Sequence, residues 1–383
     1  MPEAREGGPT REAALRAAVS AVVDPELRRS LGDLGMIRDA RFADDGTAVV
    51  GLSLTIAGCP AAERIERDVR SAALTVGGVD VVDVEVGTMS AEERTALIER
   101  VRGARVNRFG PGTLTRVIAV GSGKGGVGKS SVAANLAVAL HRRGLRVGIM
   151  DLDVHGYSIP GLLGIAGERP TRVDALVMPP RALDQEGLRG RAQGIPAISI
   201  GMFVEGDEPV SWRGPMLHRT IEQFLSDVWF GDLDVLVVDL PPGTGDAALS
   251  FGQLVPNAEF LLVTTPQPAA ADVAVRAGLL ARRLGQPLLC VVENMAGLAQ
   301  PDGSVLELFG QGGGDATARR LSTPDSTVEV IARIPLSVAL RAGGDAGVPI
   351  AIADPRDAAA VAIETLATAV IEAAPSLAGR PLL

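Results

Sequence analysis

Residues 121–131 read Gly121-Ser122-Gly123-Lys124-Gly125-Gly126-Val127-Gly128-Lys129-Ser130-Ser131. They follow the apolar run Arg116–Val120 and precede an alanine-rich helical pattern, Ser130–Arg143. Gly123 to Ser130 satisfies G-x-x-x-x-G-K-[ST] in the strand–loop–helix context that this motif requires. Glycines let successive backbone N–H groups converge on a di- or triphosphate without interference from Cβ atoms. A helix starting near Lys129 turns the positive end of its dipole toward the same phosphates. The spacing predicts that Lys129 reaches the β/γ-phosphates and that the Ser130 hydroxyl ligates Mg²⁺. Lysine usage sharpens the reading. Of 37 basic side chains only Lys124 and Lys129 are lysines, and all the others are arginines. A compact ammonium and a flat guanidinium differ in shape and reach, so a chain that otherwise uses arginine needs the ammonium at these two positions.

Outward from the loop, short apolar runs alternate with longer helical patterns. The predicted strands are Arg116–Val120, Val147–Met150, Val235–Asp239, Phe260–Thr264 and Leu288–Glu293. The predicted helices are Ser130–Arg143, Pro215–Phe230, Ala269–Leu284 and Arg356–Ala373. Several strands are apolar on both alternations, as expected of strands buried between two helix layers. The fold class is therefore α/β, a doubly wound, mostly parallel sheet with ligands at the carboxyl ends of its strands. Asp151-Leu152-Asp153 lies at one such end, and Asp239 closes another before Pro241-Pro242-Gly243-Thr244-Gly245-Asp246. A carboxylate there holds the hydration shell of Mg²⁺. An aspartate ending a strand also serves as a plain helix cap.

The N-terminal part reads differently. Arg11–Val23 is helical and stops at Asp24-Pro25, Ala48–Ile56 is a strand, Ala61–Val76 a helix and Val79–Val86 a second strand. Ser90-Ala91-Glu92-Glu93 has capping-box spacing and starts a short helix. Gly103, Gly110, Pro111 and Gly112 mark a linker. The chain is thus divided into a small α+β domain at 9–88, a linker with a short helix at 89–113, and a large domain at 114–383. The net charge of −9 argues against a broad nucleic-acid or anionic-membrane surface. No long uncharged apolar run or leader pattern is present, so the expected location is cytoplasmic, with neither nucleic acid nor membrane as partner. Two cysteines, Cys59 and Cys290, exclude a disulfide framework and a single-chain four-thiolate site. Cys290 belongs to an apolar strand, as a buried thiol does. Cys59 sits at a strand-to-helix turn, where it is either a thiolate with lowered pKa that binds metal or a half-buried turn cysteine.

Lys124, one residue after the first motif glycine, makes the loop resemble the deviant Walker A signature of the MinD/ParA, nitrogenase-iron-protein and arsenite-pump ATPases. That resemblance implies a nucleotide-sandwich homodimer in which Lys124 reaches the partner's ATP. It also assigns Asp153 to switch I, where it orients the attacking water, and Asn294 and Pro335 to the adenine site. The implied ATP-binding set is Gly121 through Ser131 with Asn294 and Pro335, the catalytic pair Lys124 and Asp153, and the Mg²⁺ ligands Ser130 and Asp239. With DLDVHGYSIPGLLG (151–164), WRGPM (212–216), DLPPGTGD (239–246) and VVENM (291–295), the chain resembles the Mrp/ApbC family of ATP-dependent iron–sulfur cluster carriers. The small domain resembles the SufT-like iron–sulfur assembly domain through Asp24-Pro25-Glu26-Leu27, Asp33-Leu34-Gly35-Met36 and Thr55-Ile56-Ala57-Gly58-Cys59-Pro60. The implied activity is ATP hydrolysis coupled to delivery of iron–sulfur clusters to apoproteins or assembly factors. One feature departs from the family. Its Cys-x-x-Cys pair after the ENM segment is replaced here by Ala296-Gly297-Leu298-Ala299-Gln300-Pro301-Asp302-Gly303, which leaves Cys59 as the thiolate candidate. Two other functions fit the scaffold: an ATP-gated assembly adaptor that holds no cluster, and a MinD/ParA-like positioning ATPase. The latter calls for a basic amphipathic or DNA-binding stripe, and residues 356–383 show no basic face.

Overall fold

Runs that are apolar on every residue have nowhere to go but the middle of a layered domain. In chain order the strands are β1 (Ile37–Phe42), β2 (Ala48–Leu54), β3 (Val82–Thr88), β4 (Arg116–Ser122), β5 (Val147–Asp151), β6 (Thr171–Val173), β7 (Leu176–Met178), β8 (Arg181–Ala182), β9 (Ile195–Ser199), β10 (Val235–Asp239), β11 (Glu259–Thr264), β12 (Leu288–Asn294), β13 (Leu298–Ala299), β14 (Val305–Leu306) and β15 (Val330–Ile334). They are seen in a computed structural model, which describes residues 11–25, 27, 29–54, 61–90, 92–93, 97, 107–154, 156–173, 176–183, 194–204, 214–300, 302 and 304–373. The described residues fall into two compact units, one within 1–106 together with 172–178, the other within 107–171 together with 179–383.

In the smaller unit, β1 pairs antiparallel with β2, and β2 pairs parallel with β3 from Ala48↔Val82 to Leu54↔Thr88. Helices Arg11–Ser20 and Ala62–Leu74 pack on this sheet through Leu15, Val19, Ile65, Val69 and Ala73, all buried. The sequence reading missed β1. Its Arg38, Asp39 and Arg41 give an edge strand with little apolar alternation, and only its pairing with β2 reveals it. The capping box at Ser90 is formed: Glu93 N–H donates to Ser90 Oγ at 3.1 Å and Ser90 N–H to Glu93 Oε2 at 2.7 Å.

The larger unit carries one eight-stranded sheet in the order β15-β12-β11-β4-β10-β5-β9-β8. Its first seven strands are parallel and β8 closes the edge antiparallel to β9. The doubly wound, mostly parallel sheet expected from the sequence is borne out. Helix Lys129–Arg142 is buried from Val132 to His141 and packs on β4, β5 and β10, with Ala358–Glu372 against it. Helices Gly214–Asp227 and Asp246–Leu254 form another packed pair, as do Pro268–Arg283 and Gly313–Leu321. After β4 the chain winds toward β9, and after β10 it winds the other way through β11, β12 and β15. The direction therefore reverses beside β4, and a crevice at the carboxyl ends of the strands is set at that point. Asn107 and Phe109 join this unit: Asn107 Nδ2 donates to Leu254 O at 2.8 Å, and the Phe109 ring meets Phe230 edge-on at 5.7 Å. Among the described residues no helix is long and apolar enough to cross a membrane.

Candidate functional site

β4 ends at Ser122, and the loop that follows is held from several sides. Ser122 O accepts from Gly243 N–H at 2.7 Å, while Ser122 Oγ donates to Lys124 O at 3.0 Å. A Cβ on Gly123 would overlap the backbone of Val273 and Ala274, so helix Pro268–Arg283 approaches as closely as a glycine permits. Gly128 has φ +81°, and a Cβ there would overlap the amide of Asn294. That amide donates from Nδ2 to Val127 O at 2.8 Å, tying the end of β12 to the loop. No side chain caps helix Lys129–Arg142. Its first-turn amides thus suit an anionic ligand, and the bare glycine cradle suits phosphate oxygens.

Two aspartates, Asp239 at the end of β10 and Asp153 just beyond β5, meet the loop. β10 lies between β4 and β5, with Asp239 opposite Val120 and Asp151. Lys129 Nζ donates to Asp239 Oδ1 at 2.6 Å and stands 3.4 Å from Asp153 Oδ2. Ser130 Oγ donates to Asp239 Oδ2 at 2.6 Å. Lys129 is 6% exposed and Asp239 fully buried, so this ammonium–carboxylate pair sits where water screens it little. Burial pushes the Asp239 carboxyl upward, against the pull of the Lys129 ammonium and the Ser130 hydroxyl. A hydroxyl and a carboxylate, both hard oxygen donors, form the donor set that Mg²⁺ takes. Lys124 reaches elsewhere: its Nζ donates to Gln267 Oε1 at 2.9 Å.

Beside the loop opens a cavity of about 740 Å³ whose walls include Gly128, Ser131, Tyr157, Asn294, Pro335 and Arg341. Asn294 and Pro335, from the ends of different strands, thus share one cavity with the loop. Cys59 and His155 lie outside the described residues, as do Trp212 and Arg213. Cys290 is buried in β12, and burial pushes its thiol up to about 12.

The family model described as NUBPL iron-transfer P-loop NTPase, of the ParA group, matches residues 113–371. The chain belongs to this family. A second family model, iron-sulfur cluster assembly protein, matches residues 12–86, so the resemblance drawn from the motifs is borne out in both halves. A Mycobacterium tuberculosis protein named iron-sulfur cluster carrier protein is 47% identical over 375 residues, covering 97% of this chain and 96% of the relative. A Synechocystis protein of the same name is 39% identical over 357 residues, covering 92% and 95%. Among solved structures, a nucleotide-binding protein from Archaeoglobus fulgidus in complex with ADP matches with TM-score 0.51 and 36% identity, covering 61% of this chain and 86% of that one.

As a P-loop NTPase the chain is built to bind and hydrolyse nucleotide, and further groups stand behind the loop. Asp151 is fully buried; its Oδ1 accepts from Asp153 N–H at 3.0 Å and its Oδ2 from Ser199 Oγ at 3.0 Å. Burial first, then the charge of Asp239, raises its carboxyl to about 8, against the Asp153 N–H, the Ser199 hydroxyl and Lys129. Gln267 and Ser199 come to the site only through tertiary packing, and no local pattern announces either. The raised carboxyl has a consequence for stability. Between the ordinary aspartate value of about 4 and the folded value, the folded chain holds a proton that the unfolded chain lacks, so stability falls as pH rises from about 4 to about 8. Asp151→Asn removes that loss. In EDTA buffer its Tm is expected above the wild-type Tm at pH 8, the gap closing toward pH 5; parallel Tm–pH curves would contradict this.

Proposed function

We propose that the protein is an Mg²⁺-dependent ATPase that carries iron–sulfur clusters, working as a cytoplasmic homodimer that passes its cluster to apoproteins or assembly factors. The meeting of Lys129, Ser130, Asp239 and Asp153 at one glycine loop carries the ATPase part. The family and the named carriers similar along nearly the whole chain support the cargo. In this reading residues 9–88 are the assembly module, 89–113 the connection and 114–383 the ATPase.

The chain's own groups then act as follows. Gly121 through Ser131 wrap the phosphates, and the entering β/γ-phosphates draw Lys129 from its contacts with Asp239 and Asp153. Ser130 and Asp239 would hold Mg²⁺, which would supply positive charge against the phosphate oxygens. Asp153, released from Lys129, orients the attacking water. The base lies in the cavity against Asn294 and Pro335. Lys124 leaves Gln267 and reaches the partner subunit's phosphates, so that ATP holds two copies face to face and hydrolysis relaxes them.

Phosphate release with and without Mg²⁺, and ATP-dependent delivery of a reconstituted cluster to an apo-ferredoxin, test the reading together. Lys124→Ala is expected to keep ATP affinity within about twofold yet lose about a hundredfold or more in turnover, as removal of a trans-acting charge on a transferring phosphoryl group does. Undiminished turnover removes the trans role. Intact hydrolysis with no cluster bound favours the adaptor that holds none.

A further inference from the structure

Tyr157 is the chain's single tyrosine. It is 42% exposed although its neighbours Asp153 and Ile159 are buried. The ring is nevertheless held in place. It lies on Gly201, where an added Cβ would overlap its Cγ and Cδ2, so any other residue at 201 displaces it. Gly201 belongs to the turn Ile200–Phe203 that follows β9. Its N–H donates to Ser199 Oγ at 3.1 Å, and that hydroxyl donates to the buried Asp151. The seat of the ring is thus anchored to the end of the central sheet. Tyr157 and Gly201 form part of the wall of the 740 Å³ cavity that also contains Gly128, Asn294 and Pro335.

We propose that Tyr157 is a further nucleoside-binding residue, its ring contacting the base or ribose of a nucleotide whose phosphates lie on the Gly123–Ser130 loop. This rests on the nucleotide reading of the cavity. An aromatic side chain offers a large contact face at the cost of two torsions. Fixing it on a glycine seat before the ligand arrives removes part of the ordering cost of binding. A tyrosine with no ligand to meet gains nothing from a half-exposed ring facing a largely apolar cavity, whereas one that meets a purine nucleoside gains contact with the base while its hydroxyl stays in water.

Calorimetric titration of ATP and of inorganic tripolyphosphate into the full chain separates the nucleoside contribution from that of the phosphates. Tyr157→Ala is expected to weaken ATP binding about five- to tenfold, the range of an aromatic contact, and to leave tripolyphosphate unchanged. Tyr157→Phe stays within about twofold of wild type for both ligands. Gly201→Ala, which unseats the ring, reproduces the loss for ATP alone. Unchanged ATP affinity in Tyr157→Ala overturns the proposal. Equal losses for both ligands also overturn it, since they give the ring a role in shaping the loop instead. If wild type itself binds ATP no better than tripolyphosphate, the cavity does not hold the nucleoside and the reading beneath the proposal fails first.

Discussion

Lys129→Ala is expected to abolish measurable ATP binding and to lower stability, and the two losses have separate causes. In the proposed reading the binding loss arises because the ammonium is the cation that the loop offers to the β/γ-phosphates. The stability loss arises because the same ammonium compensates Asp239, whose carboxylate it meets at 2.6 Å with no exposure to solvent. Removing one partner of a buried pair costs about 3–5 kcal/mol, since the other charge is left unpaired. A second substitution resolves the two effects. In Lys129→Ala/Asp239→Asn the stranded charge is gone, so the Tm returns most of the way to wild type, while ATP binding stays absent. Lys129→Arg retains the charge but brings a flat, wider group among Ser130, Asp153 and Asp239, and is expected to bind ATP far more weakly than wild type. ATP affinity unchanged in Lys129→Ala would refute the phosphate assignment. A double variant no more stable than the single one would refute the electrostatic account of the stability loss.

The same residues show how far the sequence could be read. The glycine–lysine loop was legible because strand, loop and helix are contiguous, so every feature of a phosphate cradle lies within one short stretch. β10 was read with its bounds intact, since Val235 to Val238 is apolar on both faces and ends at an aspartate. β15 and β9 were not. Arg333 lies in β15, the outermost strand on its side, and Pro196 interrupts β9. These segments are strands because of their neighbours, and local composition does not say so. At the site, strand-end aspartates could be nominated from sequence, but the pairing of Lys129 with Asp239, 110 positions away, depends on β10 inserting between β4 and β5. The partner of Lys124 was equally hidden, because Gln267 precedes a helix that reaches the loop only through the close approach at Gly123. Tyr157 had one sequence signal, its uniqueness in the chain just after Asp153, yet the glycine seat that gives it meaning lies 44 residues on.

Anaerobic reconstitution with iron and sulfide is expected to load wild type and Cys290→Ser alike and to leave Cys59→Ser without bound iron. A cluster needs thiolates that reach it, and this chain has two cysteines. Cys290 is 2% exposed within β12, the second strand from one edge of the parallel sheet, and burial holds its thiol protonated with a pKa of about 12. A thiol in that position offers no thiolate at neutral pH and no face to a metal. The stretch 296–303, where the Mrp/ApbC resemblance implies a cysteine pair, has none. Cys59 is left, five residues after Leu54 and three before Ala62, and the sequence reading keeps it as the thiolate candidate. One thiolate per chain cannot complete the four-ligand set of a cluster, and two chains supply only two. A cluster bound through Cys59 therefore needs ligands from a second chain and from added thiol, and iron per chain is the quantity to measure beside the absorption spectrum. ATP hydrolysis is expected to be unchanged in Cys59→Ser, because the substitution alters none of the residues assigned to the phosphate loop, the Mg²⁺ site or the catalytic pair. Iron retained in Cys59→Ser would refute the ligand assignment. No iron in any of the three proteins, with hydrolysis intact, would mean that the ATPase gates assembly between other proteins without holding the cluster itself.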